Sequence, residues 1–573
     1  DIALANPLFP ECPILFCKRT PTSYSHLVMQ YYGWRARPGG GLYVLDRPGR
    51  SLEVRPLLPA SYASGNVLEP RLSYDAQRIV FSYVANAGKE YDYLQLNNNV
   101  DVAFYHIYEI AADGSGLRQV TAGPFDDVMP AYLPDGGIVF SSTRRMGYAR
   151  CFGAQFSPRW HVYTLHRMDA DGANLHALSY HDTNEWFPAV AHDGRIVYSR
   201  WDYIDRDAVT HQNLWATRPD GAGTVTVWGN ATASPHCTFQ AQPIPGTEKF
   251  VFTASAHHSI AGGSLAIVTP SEGYDGQQPI QRLTPEIPFP EAEGRDIKEY
   301  YTSPWPLSER YFLTAYSPEP LVWEPGANGV NALGLYLFDA DGNRELLYRD
   351  PNISSLWAAP LRPRPRPPAI PPETDTSLGD EGLFYVQDVA RGNYGIAPGS
   401  VKGLRIVQVL PKTTPNANQP MVGHANASPG KQVLGTVPVE ADGSAYFRAP
   451  ARIPLHFQIL DERGRALQTM RSVTYLQPGE KASCVGCHES RHGTPPPAAA
   501  TLAARREPST ITPGPDGSKP LSYPILVQPV LDRHCVRCHD GGPQAAPPVL
   551  TGDPEGAFSK SYNALGPLVA YTA

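Results

Sequence analysis

Two stretches decide how this chain is read. Tyr132-Leu133-Pro134-Asp135-Gly136-Gly137-Ile138-Val139-Phe140-Ser141 recurs as His192-Asp193-Gly194-Arg195-Ile196-Val197-Tyr198-Ser199. In each, an Asp-Gly pair opens a turn and an apolar run of strand type follows. A weaker copy joins Leu72-Ser73-Tyr74-Asp75 to Arg78-Ile79-Val80-Phe81-Ser82. Asp75, Asp135 and Asp193 lie 60 and 58 residues apart, and turns at Gly246 and Glu309 continue the series at 53 and 63. A second motif, a strand ending in Asp-Gly, recurs before Gly114, Gly172, Gly221 and Gly342. Four short strands per unit of 50 to 60 residues is the pattern of a propeller blade. The repeat predicts a six-bladed β-propeller over 38–360, after an N-terminal segment 1–37. A β-sandwich with coincidental turn spacing is the competing reading.

Beyond the repeat the composition shifts. Residues 361–379 form a Pro-rich linker, and strand-like runs from 380 predict a small β domain reaching to 508, with a C-terminal segment 509–573. The expected fold class is therefore mainly β: a six-bladed propeller, then a small β domain and a C-terminal segment. The whole chain has 573 residues, 50 Gly and 59 Pro, or 109 turn-favouring residues, which suits short strands rather than helices. A formal charge of -7 gives no support to nucleic-acid binding. No apolar run is long enough for a membrane helix. The first residue is Asp rather than Met, which suggests processing or an incomplete sequence.

The chemistry lies in Cys484-Val485-Gly486-Cys487-His488 and Cys535-Val536-Arg537-Cys538-His539. Cys-x-x-Cys-His is the attachment signature of c-type haem: two thiols form thioethers to one porphyrin and the adjacent His approaches the iron. A redox dithiol needs no trailing His, and the two pairs together would make a four-thiolate zinc site. Two covalent haems fit the sequence best; they make the end of the chain a cytochrome c-like dihaem region and imply a periplasmic or otherwise extracytoplasmic protein. Cys12 and Cys17 would there be placed to pair or to remain thiols. His539 is the proximal ligand expected for the second haem. No His or Met follows it, so its sixth ligand must come from elsewhere, with His424 and His456 as candidates. His492 follows His488 by four residues, so on a helix both imidazoles would share one side.

The phrases Phe125-Asp126-Asp127, Asn184-Glu185-Trp186, Trp201-Asp202-Tyr203-Ile204-Asp205-Arg206 and Ser255-Ala256-His257-His258-Ser259 resemble those of the hydrazine synthase alpha subunit family. So does Gln477-Pro478-Gly479-Glu480 ahead of the first haem motif. The resemblance implies a six-bladed propeller, a middle domain with an unusual haem and a C-terminal domain with a bis-His haem. In the family the unusual haem is ligated by a Tyr four residues past the motif His, while the motif His helps bind zinc with a propeller Cys. His488 matches the motif His and His492 stands where the Tyr would be, a departure that favours a more ordinary haem. Cys237 and Cys151 are the candidate propeller ligands for zinc. The expected function is a dihaem oxidoreductase subunit with His488 and His492 at a candidate catalytic haem, an electron-transferring second haem and a small nitrogenous substrate. The expected partners are a redox protein or other subunits of a complex. The alternatives are a non-catalytic electron carrier or docking subunit, and a propeller whose His257, His258, Asp126, Asp127 and Glu185 line a ligand channel.

Overall fold

In the computed structural model the described residues are 9, 12–85, 103–149, 160–202, 204–291, 296–392, 395–397, 399–414, 428–487, 500–515 and 517–568. They form a mainly β protein of two compact units. One comprises Asp1–Met146, His161–Asp202 and Val209–Glu373; the other comprises Gly147–Trp160, Tyr203–Ala208 and Thr374–Ala573.

The first unit is built from repeated four-stranded antiparallel meanders. The second sheet in chain order runs Asn66–Leu72, Arg78–Val84, His106–Ala111 and Arg118–Gln119. The third runs Asp127–Tyr132, Ile138–Ser142, Thr164–Met168 and His176–Ala177. The fourth, fifth and sixth open at Glu185–Val190, Cys237–Pro243 and Tyr300–Pro306, and single bridges Gln212↔Cys237 and Gly263↔Tyr301 link them in one path. The first sheet differs: Ile14–Arg19 pairs with Gly40–Leu45 on one side and with Ser354–Pro360, from the far end of the unit, on the other. Burial falls across each meander. Asp127–Tyr132 is buried throughout, whereas the short fourth strands are partly exposed.

The Asp-Gly turns work as the repeat anticipates. Asp135 Oδ1 accepts the Gly137 N–H at 3.0 Å and Asp193 Oδ1 accepts that of Arg195 at 2.9 Å. Gly136 and Gly194 take φ of 96° and 88°, which a side chain would disfavour.

A second periodicity lies in the innermost strands. Glu69, Met129, Phe187, Gln240, Ser303 and Trp357 all have φ between 43° and 60°. Each begins a bulge in which two residues oppose one on the neighbouring strand. The bulge turns a backbone N–H out of its own ladder toward the adjacent sheet. Phe187 N–H meets Met129 Sδ at 3.2 Å, Ser303 N–H meets Gln240 Oε1 at 2.7 Å, and Trp357 N–H meets Ser303 Oγ at 3.2 Å. These bonds replace ladder bonds that a buried N–H cannot forgo.

The second unit packs a three-stranded sheet (Ala445–Pro450, Glu381–Val386, Lys481–Cys484) and a five-stranded one centred on Gly403–Val409. Phe384, Phe447 and Phe457 meet with ring centroids 5.2 to 6.0 Å apart in its core. A π-helical turn at Tyr523–Val527 runs into the helix Gln528–His534.

Candidate haem sites and the family resemblance

The first Cys-x-x-Cys segment leaves the end of a strand. Lys481–Cys484 runs parallel to Glu381–Val386, with Cys484 opposite Val386. The following turn is strapped to the loop after that partner strand. Gln387 N–H donates to the Cys484 carbonyl at 3.0 Å, Asp388 N–H to the Val485 carbonyl at 3.1 Å, and Cys487 N–H to the Arg391 carbonyl at 3.0 Å. A Cβ on Gly486 would lie 2.6 Å from the Arg391 oxygen, so only glycine fits there. Cys484 is half-buried and Cys487 exposed. His488 and His492 lie outside the described residues, as do Cys151 and His424.

The second segment caps a helix. Cys535 N–H and Val536 N–H both donate to the Leu531 carbonyl, and Cys538 N–H turns back to that of Cys535 at 3.0 Å. Cys535 is half-buried and Cys538 exposed. His539 Nδ1 lies 3.0 Å from the carbonyls of both Ala546 and Pro548. An Nδ1–H donating to a carbonyl fixes the tautomer that leaves Nε2 as ligand, the arrangement metal-bound histidines adopt. The loop is held in return by Ala546 N–H on the Cys538 carbonyl and Leu550 N–H on that of His539, both at 2.9 Å. Ile525 and Val530, just before the motif, are 68% and 55% exposed. That is an apolar surface of the kind a porphyrin covers. Thiol spacing, imidazole tautomer and apolar surroundings all fit a covalent haem.

The remaining expected residues divide. Cys237 begins the inner strand of the fifth sheet, is fully buried, and burial pushes its thiol well above the ordinary range. Cys12 and Cys17 form no disulfide: Cys17 faces the core of its strand, with Sγ 3.9 Å from the Val67 carbonyl. His456 is buried in the strand Leu455–Leu460 and neither of its ring nitrogens has a hydrogen-bond partner. Asp126, Asp127 and Glu185 serve the fold rather than a channel. Asp126 Oδ1 accepts the N–H groups of Gly33 and Tyr105, both at 2.8 Å. Asp127 holds Arg144 and the Ser142 hydroxyl, and Glu185 holds the Leu165 N–H and the Ser179 hydroxyl.

The model of the hydrazine synthase alpha subunit middle domain matches residues 399–489, from the five-stranded sheet through the first haem motif. The hydrazine synthase alpha subunit of Kuenenia stuttgartiensis is 23% identical over 619 residues, spanning 80% of this chain and 73% of that protein. At family level the chain resembles the hydrazine synthase alpha subunit. The solved hydrazine synthase of the same organism superimposes with a TM-score of 0.75 at 19% identity, covering 97% of this chain and 85% of that one. The fold is thus that of the hydrazine synthase alpha subunit along nearly its whole length.

One grouping escaped the sequence reading. His26, 231 residues before His257, comes to stand beside His257 and His258. The pair His257-His258 was visible as a motif, but no local pattern marks His26 as its neighbour.

Proposed function

We propose that this chain is an extracytoplasmic oxidoreductase subunit that carries two covalent c-type haems on a six-bladed β-propeller and a small β domain. The observation that carries the haem reading is His539, whose Nδ1 lies against two carbonyls while Cys535 and Cys538 precede it on one turn. Cys535 and Cys538 would hold the second haem and His539 its iron; Cys484 and Cys487 would hold the first, with His488 and His492 as its candidate ligands. Haem supplies one-electron chemistry when bound. The chain's own task is to fix the thiols, set the imidazole tautomer and exclude water with apolar surface.

The propeller reading is supported by six bulged inner strands in series. The strand Ser354–Pro360 touches both Tyr300–Pro306 and Asn66–Leu72, as a circular order requires. No helix among the described residues is long and apolar enough to cross a membrane. Exposure at Cys538 suits the second haem to electron exchange with a redox partner protein or another subunit, which is also what a non-catalytic carrier would need.

The test is a haem count on protein matured with the c-type attachment machinery. Two haems per chain, falling to one in Cys535→Ser/Cys538→Ser, support the reading; none in the wild type rejects it. Carbon monoxide binding to the reduced first haem separates a catalytic site from a carrier, since two six-coordinate haems would bind none. A small nitrogenous substrate is then the class to assay, on the strength of the family resemblance.

A further inference from the structure

We propose that His26, His257, His258 and Glu324, in the first compact unit, form a binding site for one divalent transition-metal ion of the zinc class. The site uses no residue of either Cys-x-x-Cys-His segment.

Three loops bring these side chains together, and backbone bonds hold the loops in place. Leu27 N–H donates to the His257 carbonyl at 3.4 Å, Glu324 N–H to the His258 carbonyl at 3.1 Å, and Ser25 N–H to that of Gly326 at 2.8 Å. Asn328 Nδ2 donates to Ser25 Oγ at 2.9 Å. One ring nitrogen from each histidine lies within 4.8 Å of the others. Glu324 faces two of them, with Oε2 3.8 Å from His26 Nε2 and Oε1 3.7 Å from His258 Nε2. Those separations are too long for hydrogen bonds. They are close to the spacing of donors around a shared ion: zinc bonds of about 2.0–2.2 Å put tetrahedral ligands about 3.4 Å apart. His258 is only partly buried, so its side chain can close the remaining gap.

The electrostatics suit a cation. His26 and His257 are buried, and that burial, reinforced by the neighbouring imidazoles, pushes His26 down to about 3 and His257 well down. Both are therefore neutral, the form that ligates. The Glu324 carboxylate beside the imidazoles of His26 and His258 supplies negative charge that a cation offsets. An N₃O donor set suits zinc and its first-row neighbours rather than calcium or magnesium.

The supporting shell is also present. The Gln212 side-chain amide lies 2.9 Å from His257 Nδ1, and Gln212 Oε1 is buried without a partner. Turning that amide over puts its oxygen on the Nδ1–H and leaves His257 Nε2 for the metal. The turn gives up a 3.3 Å contact to the Val209 carbonyl. At His26, ligation through Nε2 places the proton on Nδ1. The 3.2 Å contact from Val28 N–H to that atom is the one that gives way.

The experiment uses the full haem-loaded chain, stripped with a chelator and titrated with zinc chloride. Diffraction data are then collected on both sides of the zinc absorption edge. One equivalent of zinc is expected, with its anomalous peak among the four side chains, and zinc should raise the melting temperature. His258→Ala should weaken binding at least 100-fold while melting as the wild type does without zinc; Glu324→Gln should weaken it about 10-fold. Cys237→Ser should bind as the wild type does. Three results overturn the proposal: no peak at this position, unchanged affinity in His258→Ala, or loss of the zinc in Cys237→Ser alone.

Discussion

At the scale of single residues, Asp126 shows how a conspicuous acidic side chain becomes structural. Its Oδ1 bridges two backbone N–H groups, and burial pushes its carboxyl up to about 8 despite those bonds. The shift favours the neutral form, so the group serves as an acceptor for two N–H groups more than as a charge. Asn184 does the same work one sheet later, where its Oδ1 takes the Tyr163 N–H at 2.8 Å. Asp126→Asn should therefore be tolerated. Asp126→Ala orphans two buried donors and should cost about 2–5 kcal/mol; urea unfolding of the two variants checks the contrast. Buried histidines set the acid limit. Burial lowers His166 and His181 from 6.5 to about 4. Both are neutral in the fold and take up protons on unfolding below pH 6.5. Their contribution is complete above pH 6.5 and is lost progressively as pH falls toward 4, by about 3 kcal/mol each at most. The urea midpoint should drop between pH 7 and 5, and His166→Gln should flatten that slope. Equal slopes in the two proteins would contradict it.

At the scale of elements, the sequence disclosed the outer turns and concealed the inner bulges. Asp-Gly pairs are legible because turn type dictates residue type. The bulges recur at 60, 58, 53, 63 and 54 residues, nearly the spacing of the turns, but their leading residues are Glu, Met, Phe, Gln, Ser and Trp. Nothing chemical unites those six. The readable trace is the proline that follows four of them, at Pro70, Pro130, Pro188 and Pro304. Proline in a central strand belongs at a bulge, where no ladder donor is needed. The two Cys-x-x-Cys-His motifs were equally legible, because the attachment chemistry proposed for them fixes the residue types. Their supporting loops were not, because carbonyls such as those of Arg391, Ala546 and Pro548 leave no mark in the side chains. Gly486 is the exception that can be tested. Gly486→Ala forces a methyl against the Arg391 carbonyl and should displace Cys487 from its strap. Haem occupancy at the first motif should fall at least several-fold while the second is unchanged, as mass spectrometry of haem-bearing peptides would show. Equal occupancy at both would mean that the strap does not position the thiols.

At the scale of the whole first unit, one strand carries disproportionate weight. Ile14–Arg19 lies between Gly40–Leu45 and Ser354–Pro360, so the first strand and the last share a sheet. Every other sheet draws its strands from one continuous stretch of chain. Among the described residues this is the sheet that pairs the two ends of the unit, and the contact spans more than 300 residues of sequence. Ile14, Leu15, Phe16 and Cys17 are all 0% exposed. Burying each large apolar side chain contributes about 1.5–3 kcal/mol. The first three therefore supply about 5–9 kcal/mol, comparable to the total stability of an ordinary domain. The ladder bonds to Ser354–Pro360 would be lost as well, leaving a buried strand edge uncovered. A chain beginning at Arg37 should accordingly fail to form the first unit. It should aggregate or elute expanded on gel filtration, with rapid proteolysis between residues 40 and 360. Adding residues 1–36 as a separate peptide should restore part of the fold, because the missing strand would pair with the two edges its removal exposes, Gly40–Leu45 and Ser354–Pro360. A truncated chain that melts within about 2 °C of the full one would show that the unit holds together without this tie, and would count against the proposed propeller.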